Sequence, residues 1–500
     1  MTLAELNHLF DPEQFRVSGH ALIDLLAEQL TNQLNGDASL VKWQSPLEAE
    51  QAWRQPMPES PEFSNEEFIT WLKQEVLPRN LSMHHPHSMA HQAAPPLPIA
   101  ALCDLVAALS NQAMAVYETG PAATLIERQV IRWLNTAVGW PQGAGVLTSG
   151  GSQANLTALL AARQHMGANI WNKGMAATPR LRILTSEFSH YSIRRAAGIM
   201  GLGVEAVIAV AVDEQGRMLP QALKQAHEAC AQNQEQVMAV VATAGCTPTG
   251  SIDPLQEIGE YCRTHGLWLH IDAAHGASAL LSEQHRAKLH GMEMADSVTW
   301  DGHKLLYMPA TVSAVLFRDE AASYSAFAQD ASYLFHEEED SEARGFNTSY
   351  RTLECTKRMM GLKLLAAFKL YGRQGMASLV EHAFTSAGYF ANLVARTSGF
   401  TLLMHPQTNI VCFRYHGNST LTSSSAMLNE LQANIRKKLL HQEMFHLSQV
   451  NIGDNIWLRC TFMNPYTQQA HQEQLLKAVA CMGDDLSANR KRAFPPFFCN

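Results

Sequence analysis

The chain has 500 residues, 46% of them hydrophobic and 17% charged, and a formal net charge of −9. This composition describes a globular chain with an ample core, and its length suits two to four domains. The acidic balance argues against a general nucleic-acid binder, so Arg490-Lys491-Arg492 reads as a solvated tail feature. No run of about eighteen apolar residues is present to span a membrane.

Met1-Thr2-Leu3-Ala4-Glu5 lacks the basic-then-apolar pattern of a signal peptide. Nine cysteines are scattered with no Cys-x-x-Cys pair, which fits free thiols in a reducing cytoplasm. Residues 1–95 alternate short helical patterns with Pro-rich breaks such as Pro56-Met57-Pro58. Within them Phe15–Gln33 carries Val17, Ala21, Leu22, Leu25 and Leu26 at helical spacing, an amphipathic helix for core or interface. Four histidines follow in His84-His85-Pro86-His87-Ser88-Met89-Ala90-His91. The central proline and the lack of a nearby cysteine or acid disfavour a metal, and none is expected. Beyond Tyr117-Glu118, a helix is predicted with Leu125, Ile126, Val130 and Trp133 on one side.

Gly145–Thr148 reads as a strand, Ser149-Gly150-Gly151-Ser152 as a tight turn, and Gln153 onward as a helix with Leu156, Leu159 and Leu160 on its buried stripe. A glycine-rich turn feeding a helix offers backbone N–H groups and the positive dipole end to a phosphate. It is neither a Walker loop nor a Gly-x-Ser-x-Gly elbow, so Ser152 suits a phosphate better than a nucleophilic role. Arg182–Thr185 is a second strand, with Ser186–Ser192 beyond it. Val237–Thr243 is a third, ending in Ala244–Pro254, whose Asp253-Pro254 is expected to cap a helix over Leu255–His265.

Two anchors come next. In Trp268-Leu269-His270-Ile271-Asp272-Ala273-Ala274 a buried strand delivers an acid at its end. In Ser297-Val298-Thr299-Trp300-Asp301-Gly302-His303-Lys304 a second strand presents His303 and Lys304. A lysine and an acid at the ends of two strands suit pyridoxal phosphate, which needs an amine to condense with its aldehyde and a carboxylate to keep its ring nitrogen protonated. Val312–Phe317 is a further strand. Strands alternating with helices from about Leu105 to Phe317 predict a mostly parallel sheet that gathers ligands at its carboxyl edge. From about Ala377 the pattern changes to short strands and amphipathic helices.

From about Phe68 to Met482 the chain resembles the group II pyridoxal-phosphate-dependent amino-acid decarboxylases, with Ile271-Asp272-Ala273-Ala274 and Asp301-Gly302-His303-Lys304 among the matching segments. The resemblance implies a fold-type I α/β enzyme (aspartate aminotransferase-like). It would have an N-terminal segment over 1–95 packing on a dimer partner, a large cofactor domain over 96–375 and a smaller α+β domain over 376–500. It implies Lys304 as the attachment point and Asp272 under the ring nitrogen, with His190 stacked on the ring. Gly151, Ser152, Thr247, Ala274, Ser297 and His303 would be cofactor contacts, and Arg358, on a helix over Thr356–Leu370, would support the site.

By the same resemblance, His91 and Gln92 would touch the substrate side chain, and Arg459, on the strand Trp457–Phe462, would pair with its carboxylate. A lid over 330–350, which here holds an acidic run at 336–342, would supply a tyrosine as proton donor. Tyr350 aligns best and Tyr333 is the runner-up; a tyrosine hydroxyl, ordinarily titrating near ~10, suits a general acid. The expected activity is decarboxylation of a small L-amino acid, either acidic or 2,4-diaminobutyrate, in a cytoplasmic homodimer with its active site near the subunit interface. The alternatives are another fold-type I activity, such as an aminotransferase or aldolase, or a His-rich metal-binding module.

Overall fold

A computed structural model describes residues 6–167, 170–175, 180–327, 345–417 and 424–493, with side chains described as far as residue 488. The chain divides into two compact units. One comprises Met1–His91, Asn392–Leu403 and Cys412–Asn500; the other comprises Gln92–Ala391 and Met404–Val411. This differs from the three-part division expected from the sequence: the N-terminal residues cluster with the C-terminal ones, and the later boundary falls inside the helical run Gly361–Arg396.

The second unit is built on a seven-stranded sheet. Its strands are β1 (Ala144–Thr148), β2 (Leu181–Ser186), β3 (Val207–Val210), β4 (Gln236–Thr243), β5 (Leu269–Asp272), β6 (Ser297–Asp301) and β7 (Ser313–Phe317), in the order β1-β7-β6-β5-β4-β2-β3. Strands β6, β5, β4, β2 and β3 run parallel, and β7 is antiparallel to both β6 and β1. Strands covered on both faces read as continuous Val, Ile and Leu runs rather than alternating ones. That is the pattern of β4, where Val237 to Thr243 are all buried. Register sets the geometry that matters later. Thr148 of β1 and Asp301 of β6 both pair with Ser313 of β7, while Asp272 of β5 lies between Thr243 and Thr299. The strand ends therefore align along one edge.

Helix α1 (Pro121–Val138) starts at a proline and ends at Gly139 with φ 101°, a left-handed conformation that glycine adopts without a Cβ penalty. Its buried face is Ala123, Glu127, Val130, Ile131, Leu134 and Val138. The predicted stripe is thus rotated: Leu125 stands exposed. Glu127 accounts for the turn. Its Oε1 accepts the Lys357 ammonium and, at 3.1 Å, the Leu147 N–H, while Lys357 Nζ donates to the Leu147 carbonyl at 2.8 Å. Strand β1 is an edge strand, and this buried ion pair satisfies the backbone groups that its edge would otherwise leave open.

Helix α2 (Gly151–His165) is buried on every face from Ala154 to Ala162, which explains its alanine-rich sequence. It joins a core containing Val146, Leu159, Ile183, Met238, Val241, Trp268 and Phe317. Helix α3 (Ser192–Ile199) follows β2, and α4 (Leu255–His265) follows β4. Asp253 does not cap α4, contrary to expectation. Its carboxylate instead accepts the N–H groups of Met218 at 2.6 Å and Thr243 at 2.7 Å, a better use of a fully buried acceptor than a helix end that Pro254 already begins. The helix expected over Thr356–Leu370 begins only at Gly361, because Lys357 is drawn to Glu127. Arg358 lies before it and donates to the Asp104 carbonyl at 2.9 Å.

The first unit carries β8 (Phe400–Leu402), all but the first two residues of β9 (Ile410–Tyr415), β10 (Ser448–Ile452) and β11 (Asn455–Thr461), in the order β10-β11-β9-β8, with helices Ser425–His441 and Gln469–Ala493. Its N-terminal helix Pro12–Asn35 is capped by Asp11 and closed by Gly36, and it buries only Leu25 and Gln33. Among the described residues no helix is long and apolar enough to cross a membrane.

Removing one member of a buried ion pair strands the other charge. Lys357→Met is therefore expected to destabilise the chain by about 3–5 kcal/mol, with the Glu127→Gln/Lys357→Met double variant recovering part of the loss. Thermal melting of the three proteins checks this; equal losses in single and double variants would count against the pair.

Candidate functional site

The aligned strand ends of the second unit open on a cavity of about 410 Å³. Ser149–Gln153 and Asn155 line it from the β1 turn and α2, and His190 from beyond β2. Gly245–Thr247 follow β4, Asp272 ends β5 with Ala274 beyond it, and Asp301 ends β6 with His303 and Lys304 beyond it. Of the residues singled out from the sequence, Gly151, Ser152, His190, Thr247, Asp272, Ala274, His303 and Lys304 thus share one cavity. Lys304 and Asp272, on which the sequence reading turns, are both in it.

The glycines are steric requirements. A Cβ on Gly151 would stand 2.8 Å from Asp301 Oδ1, and one on Gly245, whose φ is 86°, would meet Gly276 N at 3.0 Å. Close approach at Gly151 brings the start of α2, with its backbone N–H groups and positive dipole end, against the end of β6. Glu354 braces the turn, accepting from Ser149 Oγ at 2.7 Å and from the Gln153 amide.

Two carboxylates face the cavity with separate partners. Asp301 Oδ2 lies 3.1 Å from Lys304 Nζ, and Asp301 Oδ1 accepts from Ser313 Oγ. Asp272, 6% exposed, accepts the Asn155 amide on Oδ2 at 2.9 Å and the Ala274 N–H on Oδ1 at 3.2 Å. His190 is held below the usual imidazole range mainly by burial; Asp272 opposes that effect and Lys304 adds to it. His303 donates from Nδ1 to the Val312 carbonyl at 2.9 Å.

The remaining candidates lie elsewhere. Ser297 is not among the described lining residues; fully buried behind the site, it bonds to His270 Nδ1 and Trp268 Nε1. Tyr350 sits half-buried on the turn Thr348–Arg351 and is likewise not among the described lining residues. Tyr333 and the acidic run 336–342 fall outside the described residues. His91 and Arg459 belong to the first unit, where Arg459 Nη1 donates to the Ala90 carbonyl at 3.1 Å and to Ser448 Oγ at 3.2 Å. His91 rests beside His446, ring centroids 5.4 Å apart. Among the described residues no cluster of three or more His, Cys, Asp or Glu side chains could hold a metal ion.

Sequence reasoning missed Asn155, Glu354 and the pairing role of Asp301. Asn155 carried a signal, since it is a lone amide within the apolar run Ala154–Ala162.

The donor set fits pyridoxal phosphate. A glycine turn at a helix start suits the phosphate, Lys304 supplies an amine, and Asp272 offers a carboxylate with fixed partners across the same cavity.

Burial takes the His270 pKa from near 6.5 down to about 4, with Asp272 pulling the other way. A folded-state value below the unfolded one means that the unfolded chain takes the proton first. The stability tied to neutral His270 is therefore intact above about pH 6.5 and lost as pH falls toward 4. His87 and His446, each lowered to about 4, act in the same window. The melting temperature is expected to drop across that window, less steeply in His270→Gln, as melts at stepped pH would show.

Residues 46–416 match the pyridoxal-dependent decarboxylase conserved domain. The chain is 33% identical over 383 residues to the cysteine sulfinic acid decarboxylase of Mus musculus, covering 75% of this chain and 78% of that one. It is 31% identical over 417 residues to the L-2,4-diaminobutyrate decarboxylase of Acinetobacter baumannii, covering 81% of each. The crystal structure of mouse CSAD superposes with a TM-score of 0.88 at 28% identity, over 95% of this chain and all of that one. With the lysine, the acid and the glycine turn gathered at one sheet edge, the chain belongs to the pyridoxal-dependent decarboxylases, carboxy-lyases that use pyridoxal phosphate on amino acids.

Proposed function

We propose that this decarboxylase releases carbon dioxide from a small L-amino acid with an acidic side chain, with 2,4-diaminobutyrate as the alternative substrate. The observation that carries the acidic reading is the cationic setting of His91. Burial first, and then the positive charges of Arg459 and Arg436, lower the pKa of its ring, and such cationic surroundings favour an anionic partner. The two relatives are named for one substrate of each kind.

When bound, pyridoxal phosphate supplies an electron sink for the bond broken at Cα. The turn at Gly151 and Ser152 would hold the phosphate, Lys304 would be the point of covalent attachment, and Asp272 would keep the ring nitrogen protonated. His190 would exclude water from the ring. Thr247, Ala274 and His303 would complete the cradle, and Ser297 would support it from behind.

Arg459 pairs with the substrate's α-carboxylate in bidentate fashion, and His91 meets its side chain. Orienting the carboxylate selects which Cα bond breaks. Tyr350 would return a proton to Cα after carbon dioxide leaves, and Lys304 would supply the amine to which the cofactor is attached between turnovers. The enzyme works as a cytoplasmic homodimer with its site near the subunit interface. The exposed Phe15, Val17, Ile23 and Leu26 of the N-terminal helix support a dimer, and the eight free cysteines of the described residues support a reducing compartment.

A panel of L-amino acids assayed for carbon dioxide release tests the substrate class. Cysteine sulfinate, aspartate or glutamate is expected to lead, with diaminobutyrate next; preference for an aromatic substrate would overturn the assignment. Arg459→Met is expected to raise KM roughly tenfold or more. Borohydride should bleach the yellow holoenzyme and label the peptide containing Lys304, and Lys304→Ala should abolish that labelling.

A further inference from the structure

We propose that Asn155, backed by His270, is a positioning residue that aims the Asp272 carboxylate at the cofactor's ring nitrogen and, through Ser192, orients the His190 imidazole. The inference rests on the reading that Asp272 serves that nitrogen, and it goes beyond it by naming what holds the carboxylate in place.

Hydrogen-bond direction fixes how these side chains are arranged. Five buried side chains form an unbroken line. Trp268 Nε1 lies 3.0 Å from Ser297 Oγ, Ser297 Oγ lies 3.0 Å from His270 Nδ1, His270 Nε2 lies 3.0 Å from Asn155 Oδ1, and Asn155 Nδ2 lies 2.9 Å from Asp272 Oδ2. At one end stands an indole N–H, which can only donate; at the other stands a carboxylate, which can only accept. Working inward from Asp272, the amide nitrogen of Asn155 must face the carboxylate, so its oxygen faces His270, and His270 Nε2 must carry the proton. A neutral imidazole then has a bare Nδ1, which accepts the Ser297 hydroxyl proton. The Ser297 oxygen is left to accept from Trp268, whose indole N–H can only donate, so the far end of the line is compatible with the assignment that the carboxylate imposes. In that arrangement each of the four donors meets a buried acceptor.

The line branches at the amide. The second proton of Asn155 Nδ2 goes to Ser192 Oγ at 2.9 Å, and Ser192 Oγ donates to His190 Nδ1, also at 2.9 Å. The Ser192 N–H meets that same nitrogen at 3.3 Å. Nδ1 of His190 is therefore an acceptor, and its ring proton is on Nε2. One amide thus fixes the rotamer of the carboxylate and the tautomer of the imidazole, the two groups assigned to the ring's nitrogen and to its face. Asn155 is 1% exposed and His270 fully buried, so water offers no substitute for either.

The test reloads apoenzyme with pyridoxal phosphate labelled with ¹⁵N in the ring, and reads the ring-nitrogen resonance and the cofactor dissociation constant. Asp272→Asn is the control for the underlying reading. If it leaves the resonance unmoved, Asp272 does not serve the ring nitrogen, and the positioning proposal falls with it. With that control moving, Asn155→Ala and His270→Leu are expected to shift the resonance toward the unprotonated value and to weaken cofactor binding roughly tenfold. His270→Gln, whose amide can still donate to Asn155, is expected to stay near wild type. Circular dichroism identifies variants that fold; should Asn155→Ala not fold, the Leu-against-Gln pair at position 270 carries the comparison. Folded Asn155→Ala and His270→Leu proteins with the wild-type resonance and affinity would overturn the proposal, as would a glutamine variant no better than leucine.

Discussion

Two carboxylates open on one small cavity beside a single lysine, and the surrounding structure keeps their partners apart. Asp301 takes the Lys304 ammonium, while Asp272 takes an amide and a backbone N–H. Were both acids to share the lysine, neither would be poised for a separate task, because opposite charges at contact distance neutralise one another strongly in a water-poor site. The division of labour is geometric. Asp301 and Lys304 stand three residues apart around a turn, whereas Asp272 leaves a neighbouring strand and meets helix α2 instead.

That geometry follows from the sheet. Parallel strands end along a common edge, and register puts Asp272 between Thr243 and Thr299. Antiparallel β7 then pairs on both sides, so that Thr148 and Asp301 share Ser313 as neighbour. The phosphate-suited turn, which follows β1, is thereby carried to the lysine-bearing end of β6. The edge of β1 is in turn closed by the buried Glu127–Lys357 pair, which clamps Leu147 just before that turn. A stability device and a binding loop are thus adjacent stretches of one strand.

Much of this was legible in the residue order. Apolar runs ending in Asp272 and in Asp301-Gly302-His303-Lys304, and a glycine turn ahead of an alanine-rich helix, are local patterns with local causes, and each sits where its pattern placed it. Asp253 was misread because a proline after an acid is a common helix start, while its actual partners, Met218 and Thr243, are distant in sequence. Leu125 was misread because apolar spacing alone cannot show that a glutamate four residues before Ile131 will be drawn inward by Lys357.

By itself the sequence determined the chemistry on offer: which strand ends carry an amine or an acid, and where a turn can receive a phosphate. These depend on neighbours one to four positions away, within reach of backbone geometry. Only the tertiary structure decided which acid serves which partner, because Asn155 and Asp272, or Glu127 and Lys357, meet across more than a hundred residues of chain. Such pairings are set by strand order and register, and no short window of sequence contains them.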